Sequence, residues 1–347
     1  MSKLRIGEGT YATVYKTIRD GRMVALKEYK NKEYNFLSEV ALGMQCDHPN
    51  IVKVLDFGTD HLLMQLGKHD LHQEMVEQMP SEEKVLSWLP AMFSSLIYLH
   101  ENGIVHRDVK DTNFVLDLEG NILLCDLGSC SHLDNDGFSP TTLPSPQMYT
   151  QRVEPQEVKM FTDIFAEQLD TRALDAWSLG VTILKFLIGT YPFLSRDPLT
   201  EHIKYFTNPL AYLFSLQVPP SFIPLLQVLL SPKQKKRNNL RRIAEKFSIP
   251  IIEGNKPIFA DWQPSRPMTH SVIQAEMYYS PPLCNAASAI FAKVMPPKEV
   301  NLEDFARACL YLASCVYDSG TLAEELEESR ELAFIIFRQL QGQLYFN

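Results

Sequence analysis

The sequence predicts an α+β chain: a β-rich part over residues 4–64, a larger helical part from residue 82, and a helical tail beyond a proline-rich stretch. Three observations carry this. Thr13–Ile18 alternates with period two as a strand should, and Met23–Lys27 reads as another short strand. In Asn35–Gln45, Phe36, Leu37, Val40, Ala41 and Met44 recur at helical spacing, and helical patterns dominate from Glu82 onward. Prolines at 250, 257, 264 and 267 then stop helices and favour extended chain before a purely helical pattern resumes.

Element by element, Leu4–Ile6 reads as a strand entering a glycine turn, followed by the strands at 13–18 and 23–27 and the helix at 35–45. Ile51–Met64 offers two more strands around Gly58-Thr59-Asp60. Helices are expected at 82–102, 174–189, 199–216, 222–230 and 238–246. In the tail they are expected at 271–278, 282–295, 302–316 and 322–340. Asn301 can cap the third of these, and Thr321 with Glu324 forms a capping box for the fourth.

The 347 residues suffice for two or three domains with a large core. A hydrophobic share of 45% and a charged share of 22% are those of an ordinary globular chain. A formal net charge of -9 argues against nucleic-acid binding. The six cysteines lack CxxC spacing, which argues for reduced thiols and against a zinc site or disulfide framework. The start Met-Ser-Lys-Leu-Arg has no apolar signal core, and no apolar run reaches bilayer length. A monomer without membrane partners, cytoplasmic and/or nuclear, is the expectation. The basic run Lys233–Arg237 with Arg241 and Arg242 reads as a solvated face more readily than as an import signal.

The chemistry concentrates in His106-Arg-Asp-Val-Lys-Asp-Thr-Asn113 and, further on, Asp126-Leu127-Gly128. A carboxylate to orient a hydroxyl, a lysine for a phosphate, and an amide with a second carboxylate for a metal make a phosphoryl-transfer set. Upstream, Gly7-Glu-Gly-Thr-Tyr-Ala-Thr-Val14 lies between strands, where glycines let backbone approach phosphates closely. Lys27 sits in an apolar strand and needs a carboxylate partner, which Glu39 on the 35–45 helix can supply.

Together these residues resemble the protein kinases over residues 2 to about 247. The resemblance implies a bilobal protein kinase fold: a β-rich N-lobe (1–64), a hinge (65–68) and a helical C-lobe (69–248). By it, Gly7 and Gly9 belong to the phosphate loop, Lys27 holds the α- and β-phosphates, and Glu39 is its helix partner. Asp108 is then the catalytic base, Lys110 the γ-phosphate contact, and Asn113 and Asp126 the Mg²⁺ ligands, with ATP as cosubstrate. Asp175-Ala-Trp177-Ser-Leu-Gly180 and Arg237, expected to pair with Glu157, match as well. Lysine two residues after Asp108 is the serine/threonine pattern.

Gly7–Val14 with Tyr15 and Lys16, His48–Lys53 and Met64–Leu71 are similar to the cyclin-dependent kinase subfamily. That likeness puts Ile6, Val14, Ala25, Leu66 and Val115 around adenine, backbone groups of Gln65 and Gly67 on its edge, and Asp70 at the ribose. Thr150 matches the threonine bridging the base and Lys110, and Thr10 and Tyr11 match positions of inhibitory phosphates. Departures stand out. Ser38 and Ser131 replace two arginines that, with Arg107, grip the activation-loop phosphate. Phosphorylation at Thr141, Thr142 or Ser145 is therefore expected to be weakly activating or dispensable. Gly43 replaces a large apolar residue, which predicts an α-helix in need of outside support. Val153–Glu157 departs from the usual substrate-loop motif, so a preference for proline after the target residue does not carry over.

After a linker at 249–268, residues 269–347 resemble a cyclin box. Ala306–Asp318 is similar to its central helix and Tyr278–Lys293 to the helix before, although Cys315 stands where a docking lysine is usual. A tethered cyclin-like domain would act on the Glu39 helix at high effective concentration. The expectation is an ATP- and Mg²⁺-dependent serine/threonine kinase with protein substrates, activated in cis. The rival readings are a non-catalytic scaffold for cell-cycle partners and a kinase that recruits a separate cyclin.

Overall fold

The alternation at the N-terminal end folds into five antiparallel strands: β1 (Leu4–Glu8), β2 (Ala12–Arg19), β3 (Arg22–Tyr29), β4 (Val54–Phe57) and β5 (His61–Gln65), in the order β1-β2-β3-β5-β4. Asp20 and Gly21 link β2 to β3 with φ of 48° and 75°, the positive angles that a two-residue hairpin turn demands. On one face Val24 and Leu26 pack with Leu63 and Tyr15. Pairing of Val14 with Lys27, and the period of two along β3, puts Val14, Ala25, Lys27 and Tyr29 on the other. Helix α1 (Asn35–Gln45) takes the predicted bounds. The structure is a computed structural model that describes residues 3–9, 11–30, 35–58, 60–132, 170–193, 198–255, 302–317, 329, 332, 333, 335 and 336.

Two compact units emerge: residues 1–47, 52–66 and 255–347 form one, and 48–51 with 67–254 the other. The second is mainly helical, with α2 (Leu71–Glu77), α3 (Glu82–Glu101), α4 (Thr171–Ile188), α5 (Pro198–Thr207), α6 (Pro209–Ser215), α7 (Ile223–Leu229) and α8 (Leu240–Lys246). The single helix expected at 199–216 is two helices. Pro209 has no amide to continue the ladder, and Asn208 accepts a hydrogen bond from Ala211 N to cap α6. Short strands complete the unit: β6 (His69–Asp70), β7 (Ile104–Val105), β8 (Phe114–Leu116), β9 (Ile122–Leu124) and β10 (Ser131–His132), paired as β6-β8-β9 and β10-β7. Its core is α4, where Leu174, Trp177, Val181, Ile183 and Leu184 are buried and Phe193 stacks on Trp177.

The stretch expected to open a linker is tied down at its start. Ile252 N donates to Ser94 Oγ at 2.9 Å, Ile252 O lies 2.9 Å from His48 Nε2, and Arg241 pairs with Glu253 and Glu101. In the first unit Asn255 N donates to Asp47 O. The tail helices expected at 271–278 and 282–295, and most of that at 322–340, lie outside the described residues.

The tail helix expected at 302–316 is α9 (Leu302–Tyr317), and it packs against α1 within the first unit. Phe305, Ala308, Cys309 and Leu312 recur at helical spacing and are buried, so α9 is held by an apolar face. On α1, Phe36, Val40 and Leu42 are buried, and so is Glu39.

At Gly43 the sheet comes close: a Cβ placed there would lie 2.3 Å from Val54 Cγ2. A glycine is therefore what lets α1 sit on β4. Gly43→Ala is expected to destabilise the fold by about 1–3 kcal/mol through overpacking. A urea midpoint equal to that of the wild type would refute it.

Candidate functional site

In the first unit the strand lysine finds the partner its burial requires. Lys27 Nζ lies 2.7 Å from Glu39 Oε1 and 2.8 Å from Oε2, with both residues largely out of solvent. A buried ion pair of this kind keeps its charges only when both are satisfied. Tyr29, two residues along β3, donates its hydroxyl to Glu39 Oε2, and its ring meets Phe36 edge-on at 5.0 Å. Glu39 is thus held from strand and helix together. Tyr29 was not anticipated from the sequence. Its place on the Lys27 face of β3 was the available signal.

The glycine loop follows β1. Gly7 pairs with Val14 across a bulge after Arg5, and Gly9 N donates to Ala12 O at 2.9 Å. Lys30 holds the loop by donating to Gly9 O at 2.9 Å and Glu8 Oε1 at 3.0 Å. Ile6 lies at the bulge, about half exposed, and Ala25 is buried in β3. Gln65 N donates to Lys53 O.

In the second unit, Gly67 approaches Val115 so closely that a Cβ on Gly67 would lie 3.1 Å from Val115 Cβ. Asp70 pairs in register with Val115 and caps α2 by accepting from Gln73 N at 2.8 Å. Three residues expected at a nucleoside therefore cluster at β6 and β8.

The catalytic-loop residues gather beside them. Asp108 Oδ2 accepts from Lys110 Nζ at 2.6 Å and from Asn113 Nδ2 at 3.0 Å. Asn113 Nδ2 also donates to Asp108 O at 2.7 Å, which orients its amide so that the carbonyl oxygen is the group left for a cation. Cys125 N donates to Asn113 O at 2.9 Å, and the β8–β9 hairpin so brings Asn113 next to Asp126. Asp126 itself adopts left-handed backbone, φ 62° and ψ 69°, a strained conformation that concentrates at functional sites. An amide oxygen and a carboxylate are the hard donors that Mg²⁺ prefers, so this pair fits that ion.

Behind the loop, Asp175 of α4 accepts from His106 N and Arg107 N at 2.8 Å each, and from His100 Nε2 at 2.8 Å. Burial pushes its carboxyl up, but the His100 hydrogen bond and charge, with His106, hold it below the usual carboxylate range. His106 accepts from Asp108 N at Nδ1 and donates to Cys125 O at Nε2, which ties the loop to the segment carrying Asp126. Arg237 is buried, donates to Ala173 O and Ser231 O, and lies over the Trp177 ring. Its expected partner Glu157 lies outside the described residues, as do Thr10, Thr141, Thr142, Ser145 and Thr150.

The chain matches the family model described as "Protein kinase domain" over residues 2–247. It is 27% identical to the serine/threonine-protein kinase MST20 of Pyricularia oryzae, covering 56% of this chain and 21% of that protein. It is 25% identical to CTD kinase subunit alpha of Schizosaccharomyces pombe, over 80% of this chain and 48% of that protein. It is 24% identical to cyclin-dependent kinase F-4 of Oryza sativa subsp. japonica, over 84% of this chain and 64% of that protein. The chain spans less than two thirds of the length of each of these relatives. With the geometry and this match in agreement over most of its length, the chain belongs to the protein kinase domain family.

Proposed function

We propose that this chain is a serine/threonine protein kinase of the cyclin-dependent type, using ATP and Mg²⁺, with its helical tail acting as a cis support for α1. One observation carries the catalytic reading: Asp108, Lys110 and Asn113 lie in a single hydrogen-bonded cluster, and the Lys27–Glu39 pair is formed. In this reading Asp108 orients the substrate hydroxyl and accepts its proton. Lys110 lies beside Asp108 and brings a positive charge to the transferred group. Lys27, aimed by Glu39, neutralises charge on the remaining phosphates. Asn113 and Asp126 would hold Mg²⁺, whose chemistry is to neutralise charge on the phosphate oxygens. The relatives that include cyclin-dependent kinases support the subfamily assignment.

The cis support rests on α9 packing against the helix that bears Glu39. The cyclin-like identity of residues 269–347 stays part of this proposal, and so does the protein substrate. Two experiments test the reading. Transfer of labelled phosphate from Mg-ATP to a generic serine/threonine substrate is expected from the wild type and not from Asp126→Asn, and a wild type without transfer would overturn the kinase. A chain ending at Asn255, which keeps the contacts of 249–255, is expected to lose most of its kcat while still binding ATP. Undiminished kcat would refute the cis support.

A further inference from the structure

Inside the second unit a cluster of buried charge lies behind the catalytic loop, and none of it belongs to the set described above. Asp111 follows Lys110 directly and precedes Asn113 by two residues, yet its side chain points away from both and is only 1% exposed. Its Oδ2 accepts from Lys185 Nζ, and its Oδ1 accepts from Tyr191 Oη at 2.5 Å. Lys185 sits in the last turn of α4 at 5% exposure, with its Nζ 4.1 Å from the centre of the Tyr191 ring. His72, on α2, completes the group: its Nδ1 is 2.9 Å from Asp111 Oδ2 and 3.1 Å from Lys185 Nζ.

A lysine buried in a core helix is costly unless its charge is matched and its protons are placed. A less costly residue at 185 would be apolar, like its neighbours Leu184 and Phe186, both fully buried. The ion pair of Lys185 runs to Asp111 in the loop turn Asp111–Asn113, and its other contacts, His72 and the Tyr191 ring, flank the same carboxylate. Asp111 in turn has both oxygens fixed by groups on α4 and just beyond it. Asp108 and Asn113 bracket this residue on either side, so its anchorage sets where they stand relative to α4.

We infer that Lys185 and Tyr191 are positioning residues: through Asp111 they fix the register of the loop that presents Asp108, Lys110 and Asn113. The inference rests on the phosphoryl-transfer reading of that loop. Loss of the anchor leaves the binding groups in place and loosens the geometry of transfer. Misplacement of reacting groups by about 1 Å can cost on the order of a hundredfold in rate. The effect therefore falls on kcat and not on KM for ATP.

Tyr191→Phe removes only the hydroxyl and keeps the ring over Lys185. It is expected to lower kcat about tenfold with KM for ATP unchanged within about twofold. Lys185→Met is expected to lower kcat further, and the pair Asp111→Asn with Lys185→Met to recover stability without recovering kcat. Hydrogen exchange at the amides of residues 106–113 is expected to quicken in Tyr191→Phe while that of α3 stays unchanged. This readout needs no turnover, so an inactive wild type would defeat the kinase reading and leave the anchor to be judged by exchange. If Lys185→Met does not fold, Tyr191→Phe alone decides. A Tyr191→Phe chain with unchanged kcat and unchanged loop exchange would overturn the inference. So would a loss of kcat that follows melting temperature alone.

Discussion

Asp108→Asn is expected to lower kcat by about 10²- to 10⁴-fold, the range for losing a positioned general base. The substitution keeps shape and size. It removes the second acceptor oxygen, and with it the negative charge that Lys110 Nζ approaches at 2.6 Å and Asn113 Nδ2 at 3.0 Å. Both donors reach the same oxygen, so the single oxygen of an asparagine can still accept from them, but as a neutral group, and its NH₂ replaces the oxygen that would take up the proton. On the role proposed for Asp108, the substrate hydroxyl then has no base to receive its proton. The proposed ATP contacts lie on other residues, so KM for ATP should move by less than about threefold, while kcat carries the loss. Steady-state transfer at saturating Mg-ATP checks this, with a melting curve to show that the variant is folded. Activity within tenfold of the wild type would remove Asp108 from the role of base and shift the chemistry elsewhere in the loop.

How far such roles could be read beforehand depended on the range of the interaction. Asn35–Gln45 was legible to the residue because helical spacing is local. Lys27 and Glu39 could be paired from sequence, since a lysine in an apolar strand demands a carboxylate and the next helix offers one. The segment 199–216 was misjudged because its apolar periodicity runs through Pro209, and the missing amide outweighs it. Helix α2 spans only seven residues, too few for a period to show, although Asp70 three residues before Gln73 was a capping signal. Strands of two or three residues such as β6 and β8 owe their existence to partners far along the chain.

The side-chain networks were the least legible. Tyr29 on Glu39, and Lys185 with Tyr191 on Asp111, join residues that no periodicity links; Lys185 and Asp111 are 74 positions apart. By local pattern Lys185 interrupts an apolar helix and looks like a flaw. Only the fold shows that the interruption meets the catalytic loop. That Val54 packs on Gly43 was equally hidden, because the two meet only once α1 lies on β4.

Asp175→Asn is expected to have the largest effect on stability, about 3 kcal/mol or more at neutral pH. Asp175 is 1% exposed and receives three donors, two of them backbone amides of the residues just before Asp108. An asparagine would turn an amide group toward one or more of these donors, and each buried donor left unmet costs about 1–3 kcal/mol. The pH dependence follows from the sign of the shift. The folded state holds the Asp175 carboxyl below the usual carboxylate range, so its stabilisation is complete above the unfolded value of about 3.9. It is lost as pH falls through the lower folded value. The gap in unfolding free energy between wild type and Asp175→Asn should therefore be full at pH 7, nearly full at pH 5, and shrinking below about pH 4. Urea titrations at those three values measure it. A gap that stays constant into the acid range would mean that the carboxylate's charge contributes nothing and that shape alone matters at this position. A gap that closes as described would identify Asp175 as the charged post on which His106 and Arg107, and through them Asp108, are hung.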